Sequence, residues 1–310
     1  MFFQYNAEGM TAVEPESIDG SLLTVGYVNV EELTALQKQC GFDDSTVAAC
    51  RDANTFFRSG VEVHRDYTFT ELRILNAHEA ADDYIALYIK RNLLLVVDIS
   101  DEDGSTREKY LSATERYSPS TVSGEKVLAA FLEALLVRDQ TVLETIELKL
   151  SEQEDILVEE RCDKDFNLSL LRSKKLLSRR QSYYSQLLDI TEAVYENDND
   201  VFEESSLIYI DNVSKRLSRL REDTAALRGT VEHLQDAYTA WLDTRMNSTM
   251  KIFTVLTSIF FPLTIIVGWY GMNFQYMPEF RWRFGYVYVI ALSVITVLVL
   301  VLVGKKKKWF

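Results

Sequence analysis

The sequence predicts an α+β membrane protein: an N-terminal α/β domain, antiparallel acidic helices, a very long stalk helix that continues into a first membrane span, and a second span. Three observations predict this fold class. Residues 252–278 and 284–304 contain no charged side chain, and about 20 apolar residues suffice for a helix to cross a bilayer. Leu-, Glu- and Lys-rich segments of helical periodicity fill the middle of the chain. The first 120 residues instead alternate short apolar runs with turn residues.

The cytoplasmic α/β domain is predicted to span residues 1–121. Runs of β-branched and aromatic residues predict its strands, and an apolar period of three to four residues predicts one short helix. The strands are expected at 21–28, 67–75, 84–89 and 93–99, and the helix at 31–40. The last two strands should form a hairpin about Arg91-Asn92.

Long helices are predicted from residue 122 onward. Residues 122–204 should hold two antiparallel helices, 127–160 and 168–195, joined near 161–165. No proline follows residue 207 until Pro262, so one helix on the order of 100 Å long is expected to run from the cytoplasmic domain into the membrane. The remaining predicted segments are a stalk helix at 205–249, a first membrane helix at 250–271, an extracellular loop at 272–283, a second membrane helix at 284–304 and a basic cytoplasmic tail at 305–310.

Basic residues predict the orientation of the two spans. Arg245, Lys251 and the lysines at 305–308 flank the spans on one side, whereas the short loop between the spans holds Arg281 and Arg283. Because basic residues favour the cytoplasmic side, both termini are expected there, in a multi-pass protein of the cell (inner) membrane. The first residues carry no secretory signal pattern.

The net charge of −14 is unevenly distributed. After Met250 there are seven basic residues and one acidic residue, a balance of +6, so the preceding part carries −20. Such a domain is a poor nucleic-acid binder, but its charge suits the attraction or sensing of cations. Three cysteines without CxxC spacing and three scattered histidines indicate neither disulfides nor a soft-metal site. The sequence shows no nucleophile–base pair and no nucleotide-binding loop, so an enzyme is not expected.

Two stripes run along the long helix at steps of three, four or seven residues. The apolar stripe forms a heptad seam that should pack against the preceding helices or neighbouring subunits. It comprises Val213, Leu217, Leu220, Leu227, Val231, Leu234, Tyr238 and Trp241. The second stripe lies about 200° away, and comprises Asp236, Ala240, Asp243, Asn247, Met250, Thr254, Thr257, Phe261, Thr264 and Gly268. Polar groups within a membrane face a water-filled pathway or a tightly packed helix, and periodicity alone leaves both interpretations open.

If the second stripe lines a pore, its chemistry limits the ion that passes. Its membrane part holds no carboxylate. Since Mg²⁺ sheds its water reluctantly, neutral oxygens of Asn, Thr and backbone carbonyls are expected to bind the hydrated ion. Met250 and Phe261 are then expected as apolar constrictions that gate by dewetting.

The residues around the end of the first span carry a family resemblance. Tyr270-Gly271-Met272-Asn273-Phe274 resembles the CorA family of magnesium channels, whose hallmark is a Gly-Met-Asn tripeptide between two C-terminal spans. The resemblance extends upstream through Asn247, Met250-Lys251, 260–264 and Gly268, and downstream through 276–279, 281–282 and the basic tail at 305–309. It covers roughly the last 70 residues in detail, and upstream only the layout of the chain is similar.

The resemblance implies a homopentamer with a central pore along the first span. Gly271, Met272 and Asn273 would form the selectivity filter, and Glu279 would be the loop acid. The resemblance implies pore-lining roles for Asn247, Met250 and Thr264. The stripe itself adds Thr254, Thr257, Phe261 and Gly268 to the expected pore-lining residues, together with the neighbouring Phe253. Asp236 would form an acidic inner entrance, to which the stripe adds Asp243. Asp211 and Asn212 would form part of a regulatory metal site. The four lysines Lys305, Lys306, Lys307 and Lys308 would form a basic collar. Phe253 and Phe261 depart from the family's smaller pore residues, and Gln275 replaces a loop carboxylate of some relatives.

The function these observations predict is potential-driven Mg²⁺ influx, with Co²⁺ and Ni²⁺ as further cargo and with feedback by cytoplasmic Mg²⁺. No cofactor is expected besides Mg²⁺ itself, and the expected partners are further copies of the chain, membrane lipid and divalent cations. A Zn²⁺ transporter of the related type is the nearest alternative, although Met272 argues against it. A membrane-anchored coiled-coil scaffold that does not conduct is the alternative from another class.

Overall fold

The computed structural model describes residues 1–6, 9–52, 60–76, 82–272, 277 and 281–306. The chain divides into two compact units, Met1–Leu234 and Gln235–Phe310. The first unit contains a mixed sheet and a set of helices, and the second contains the two long apolar helical segments. The predicted α+β class and the predicted change to long helices are therefore confirmed.

The described residues of the first unit form a sheet of seven strands. These are β1 (Phe2–Asn6), β2 (Gly9–Val13), β3 (Thr24–Asn29), β4 (Val61–Val63), β5 (Tyr67–Ile74), β6 (Asp83–Lys90) and β7 (Leu93–Ser100). Their order is β2-β1-β3-β7-β6-β5-β4, in which β3 and β7 pair in parallel and the other neighbours are antiparallel. The predicted β6–β7 hairpin is confirmed, with Asn92 at a φ of 58° in its turn. The short strands β1, β2 and β4 were not predicted.

The helices are α1 (Val30–Cys40), α2 (Asp44–Asp52), α3 (Ser105–Thr114), α4 (Gly124–Leu135), α5 (Asp139–Val158), α6 (Phe166–Glu196), α7 (Ile208–Tyr270) and α8 (Gly285–Lys306). Single 3₁₀ turns lie at Pro15–Ser17 and Glu204–Ser206. Helix α1 starts at a capping box between Asn29 and Glu32 and ends at Gly41, whose φ of 72° suits glycine. Helices α2 and α3 were missed, because both are short and weakly apolar.

The single helix predicted over 127–160 is wrong, because the structure has two helices, α4 and α5, in that region. The chain leaves the helical path between Leu136 and Arg138. The Leu136 carbonyl accepts hydrogen bonds from the Asp139 backbone N–H (3.2 Å) and from the Arg216 guanidinium of α7 (3.3 Å). No proline or glycine marks this break, so contacts with another helix, and not local sequence, determine it.

The apolar stripe on α7 is confirmed as a packing seam in the first unit. Val213, Leu217, Leu220, Val231 and Leu234 are all buried. Polar contacts between α6 and α7 flank the seam, with a salt bridge of 3.1 Å between Lys174 and Glu232. The seam therefore fixes which face of α7 packs in this part of the helix.

Candidate functional site

The two apolar helical segments leave their apolar surface uncovered within the chain. Almost none of the most apolar window of α7, or of α8, is buried, although both helices are long enough to cross a membrane. Ile252, Val267 and Trp269 of α7 are each at least 60% exposed. An apolar surface of this kind requires lipid or further protein to cover it.

Within the second unit, α7 and α8 each have one half-buried face. On α7 this face is formed by Val255, Ile259, Pro262 and Ile266, and on α8 the corresponding positions include Leu300. These positions recur at steps of three and four residues, as expected for two helices that pack side by side.

The predicted polar stripe lies on the other side of α7. At about 100° per residue, its membrane positions are centred roughly 150° from the half-buried face. Every position of the stripe is exposed in the single chain, and so is the neighbouring Phe253: the stripe positions are Asp236, Ala240, Asp243, Asn247, Met250, Thr254, Thr257, Phe261, Thr264 and Gly268. The face that α7 leaves free is thus the one that carries amide and hydroxyl groups.

The threonine hydroxyls of the stripe donate their hydrogens within the helix. Thr254, Thr257 and Thr264 donate to the backbone carbonyls four residues earlier, at 2.9, 2.8 and 2.9 Å. Because each donor is used in this way, each hydroxyl oxygen retains acceptor capacity toward its surroundings. A hydrated cation presents water hydrogens outward, so a row of acceptors matches its hydration shell.

Pro262 adds one further acceptor to this part of α7. Proline has no backbone N–H, so the Ser258 carbonyl four residues earlier lacks its usual helical donor.

A groove of about 570 Å³ runs along this part of α7, from Met250 past Phe253 and Phe261 to Leu300 of α8. Phe253 and Phe261 both lie on this groove, and their role as an apolar constriction stays a prediction.

Helix α7 ends at Tyr270, directly before the glycine of the predicted filter. The Gly271 backbone N–H donates to the Val267 carbonyl at 2.9 Å, and the Met272 N–H donates to the Trp269 carbonyl at 3.4 Å. A Cβ atom at position 271 would lie 2.9 Å from the Val267 carbonyl oxygen, which belongs to the backbone and cannot move aside cheaply. Glycine is therefore needed for this tight helix end. Asn273 and Glu279 lie outside the described residues.

At the other end of the apolar segments the side chains are basic. Arg245 stacks over the ring of Trp241, with 4.8 Å between the guanidinium carbon and the ring centroid. Lys305 and Lys306 form the last turn of α8, where positive charge favours the helix C-terminus. Lys307 and Lys308 lie outside the described residues.

The predicted regulatory pair lies near the start of α7, in the first unit. The Asp211 carboxylate accepts a hydrogen bond of 2.6 Å from Lys215, one turn along the same helix, and Asn212 is exposed. Across the ranges that the structure describes, these two residues belong to no cluster of metal-ligating side chains. Their regulatory role stays a prediction.

Comparison with known proteins decides the family. The family model of the CorA-like Mg²⁺ transporter protein matches residues 23–306, which is most of the chain.

The chain belongs to the CorA-like Mg²⁺ transporter family.

Relatives within the CorA family support this assignment. The cobalt/magnesium transport protein CorA of Thermotoga maritima is 28% identical over 269 residues, covering 83% of this chain and 74% of that protein. The magnesium transport protein CorA of Helicobacter pylori is 30% identical over 161 residues, 51% of this chain and 46% of the relative. The predicted family resemblance is thus confirmed, and the family is one of membrane transporters.

Solved structures show the same fold. The complete CorA magnesium transporter of Methanocaldococcus jannaschii matches with a TM-score of 0.77 and 22% identity, covering 100% of this chain and 98% of that one. The ZntB cytoplasmic domain of Vibrio parahaemolyticus matches with a TM-score of 0.63 and 15% identity, covering 78% and 97%. At these identities the matches establish only the fold, which the CorA transporter and the ZntB cytoplasmic domain both share with this chain.

Sequence reasoning missed one group of side chains in this CorA-family chain. Asp83, Asp101 and Asp103 each offer a carboxylate oxygen within 4.8 Å of the others. None of these three residues was predicted as part of a site. The antiparallel register pairs Tyr84 with Ser100, so that Asp83 comes close to Asp101, and this register is not readable from the sequence.

Proposed function

We propose that this chain is one subunit of a homopentameric channel for potential-driven Mg²⁺ influx. The observation that carries the proposal is the exposed row of acceptors on α7, on the side away from its half-buried face. Five such faces around one axis would enclose a polar path through the membrane. The number five comes from the family resemblance.

In this proposal the ion keeps its water through most of the path. Asn247 and the stripe threonines accept hydrogen bonds from the hydration shell, which suits an ion that dehydrates reluctantly. The absence of carboxylates between Lys251 and Tyr270 keeps binding weak enough for release. Gly271, Met272 and Asn273 form the outer filter, and Asp236 and Asp243 attract cations to the inner entrance.

The membrane potential supplies the driving force. With both termini in the cytoplasm of an interior-negative cell, each charge gains about 2.3 kcal/mol per 100 mV, so a divalent ion gains about twice that. The acidic first unit is proposed to sense cytoplasmic Mg²⁺ and close the path. Co²⁺ is proposed as further cargo, since the Thermotoga maritima relative is named as a cobalt/magnesium transport protein, and Ni²⁺ is proposed from the family resemblance alone.

Uptake into proteoliposomes tests the proposal. Full-length protein is reconstituted with an interior Mg²⁺ dye under an interior-negative potential, and wild type is compared with Asn273→Ala. Asn167→Ala, at an exposed position on α6, is the matched control. We expect uptake in wild type and in the control, and loss of uptake in Asn273→Ala.

Two outcomes contradict the proposal. Absence of Mg²⁺ flux from wild type, in vesicles where a known ionophore works, refutes the channel and favours a scaffold. Zn²⁺ uptake without Mg²⁺ uptake, measured with a Zn²⁺ dye in the same vesicles, assigns the chain to Zn²⁺ transport instead.

A further inference from the structure

Helices α5 and α6 each leave one face uncovered in the first unit. The acidic face lies on α5 and consists of exposed positions at steps of three and four residues, which share one side of the helix: Thr141, Glu144, Leu148, Glu152 and Asp155. The basic face lies on α6 and consists of exposed positions within an arc of about 100°: Leu168, Leu171, Arg172 and Lys175.

The charges of the two faces are not paired with each other in the single chain. Among the described residues, no salt bridge includes the charged members of either face, which are Glu144, Glu152, Asp155, Arg172 and Lys175. The Glu144 carboxylate accepts a bond of 3.4 Å from the amide of Gln140, a neutral residue of its own helix. Lys149 lies about 100° around α5 from Leu148, beside the acidic face and not on it. The two faces therefore carry opposite net charge.

Exposed leucines lie among these charges. Leu148 of the acidic face is 68% exposed, and Leu168 and Leu171 of the basic face are 45% and 48% exposed. A single exposed leucine is ordinary on a protein surface, but here both faces place leucine between charged side chains. An apolar centre with a polar rim is the usual composition of a protein–protein contact. The two faces thus match each other in charge and in apolar content.

The two faces cannot meet within one chain. Helices α5 and α6 run antiparallel and touch through other positions, where Gln153 donates to the Ser169 hydroxyl at 2.6 Å and Arg180 pairs with Asp139. At about 100° per residue, these contact positions lie roughly 120° or more around each helix from its exposed face. Each face therefore points away from the contact between α5 and α6, so a matching face has to come from another molecule.

The same two contacts define which positions of α5 and α6 lie at equal height along the helices. Because the helices are antiparallel, one step forward on α5 corresponds to one step back on α6. Counted from either contact at 1.5 Å per residue, Glu144 lies within about 5 Å of Lys175 in height. Leu148 likewise lies within about 5 Å of Leu171 in height.

Rotation about an axis parallel to these helices leaves all heights unchanged. Copies of the chain arranged around such an axis therefore place the acidic face of one copy beside the basic face of the next at matching heights. Glu144 then meets Lys175 of the partner subunit, and Leu148 meets Leu171 of the partner subunit. Glutamate and lysine side chains are long enough to span the remaining difference in height.

We propose that the acidic face of α5 in one copy of this chain binds the basic face of α6 in the next copy, head to tail around a ring. Because every copy contributes one face of each kind, such contacts continue from copy to copy and close into a ring, whereas an isologous contact stops at a dimer. The proposal rests on the assembly around one axis that the proposed function requires. It adds the surface through which the helices of the first unit meet.

Cysteine cross-linking of the full-length protein in detergent tests this contact. Glu144→Cys and Lys175→Cys are combined in one chain, which is treated with a short bismaleimide and separated on a denaturing gel. Since each chain then offers one thiol on each face, a head-to-tail contact produces a ladder of multimers. Glu154→Cys combined with Lys175→Cys is the matched control, because Glu154 is exposed but lies about 120° from the centre of the acidic face. Wild type, with Cys40, Cys50 and Cys162, gives the background.

We expect a ladder beyond the dimer for Glu144→Cys with Lys175→Cys, and only background for the control and for each single variant. Monomer and dimer bands alone, in protein that native mass spectrometry shows to be a larger oligomer, would overturn the proposal. A ladder of equal yield in the control would overturn it as well, and so would a protein that is monomeric throughout.

Charge reversal provides a second measurement. Lys175→Glu places like charges opposite each other, so at low salt it should weaken assembly several-fold in native mass spectrometry. Adding Glu144→Lys in the same chain restores opposite charges and should restore assembly, and failure to recover would contradict the pairing. A ladder without Mg²⁺ uptake in proteoliposomes would refute the proposed channel and keep this contact. Mg²⁺ uptake without a ladder would refute the contact alone.

Discussion

Replacement of Arg180 by Met tests how the helices of the first unit are held together. Arg180 of α6 pairs with Asp139 at the start of α5, and both side chains are at least nine-tenths buried. Arg180→Met keeps an apolar stem of similar length but removes the guanidinium. The Asp139 carboxylate then stays buried without its ion-pair partner, at the junction where α4 and α5 separate.

The expected loss of stability is large. Breaking a buried ion pair by removing one partner costs about 3–5 kcal/mol, because the remaining charge has no compensation. For a unit of about 150–250 residues, each kcal/mol lowers Tm by roughly 2–4 °C. We therefore expect Tm to fall by roughly 6–20 °C at pH 7.

The deficit should depend on pH. In wild type, burial raises the pKa of Asp139 above its ordinary value of 3.8, although the Arg180 charge and hydrogen bond lower it. Without Arg180 the folded-state pKa of Asp139 rises further, so the folded state binds a proton more tightly than the unfolded chain does. The stability of the variant is then lost as pH rises through that raised pKa. Its Tm should approach the wild-type value as pH falls from 7 toward 3.8.

Thermal melts of full-length protein in detergent, followed by circular dichroism, measure these effects. Arg172→Met, at an exposed position of the same helix, is the control and should change stability by less than about 0.5 kcal/mol. The double variant Asp139→Leu with Arg180→Met should recover most of the lost Tm, since it leaves no unpaired charge. A Tm for Arg180→Met within about 2 °C of wild type at pH 7 would refute the reasoning. A shift that small corresponds to a loss of about 1 kcal/mol or less, which is below the cost of an unpaired buried charge.

Three further predictions concern the sheet and the proposed pore. Gly26→Ala should lower Tm by several degrees, because a Cβ there would lie 2.6 Å from the Phe2 ring and overpacking costs about 1–3 kcal/mol. Gly20→Ala is the control, since a Cβ at position 20 would have no atom within 4 Å. Equal Tm values for the two variants would contradict the expectation. Phe261→Ala should widen the apolar constriction and raise Mg²⁺ flux in proteoliposomes, and unchanged flux would remove Phe261 from the gate. Thr264→Val replaces the hydroxyl acceptor by a methyl group of similar size, so uptake should fall while the melt is unchanged, and wild-type uptake would exclude Thr264 from the ion path.

Local sequence patterns predicted much of the fold. The β6–β7 hairpin, α1, α6 and the long α7 follow from periodicity and turn residues over short distances. The break between α4 and α5 was missed because helical propensity continues through Leu136 and Arg138. The helix ends there because the Leu136 carbonyl accepts a hydrogen bond from Arg216, which lies 80 residues away in the chain.

The candidate site divides in the same way. The stripe from Asn247 to Gly268 was readable because the residues of one helix face recur at a fixed spacing. That the stripe lies away from the half-buried face of α7 became visible only with α8 in place. The need for glycine at position 271 became visible only from the position of the Val267 carbonyl oxygen.

The sequence by itself determined the two membrane-length apolar segments, the acidic and basic halves of the chain, the stripes of α7 and the Gly-Met-Asn tripeptide. All of these are properties of neighbouring residues or of one helix. Only the tertiary structure decided that Asp83 meets Asp101 and Asp103, and that Asp139 turns inward to Arg180. Strand register and helix packing bring distant residues together there, and burial then changes the energy of their charges.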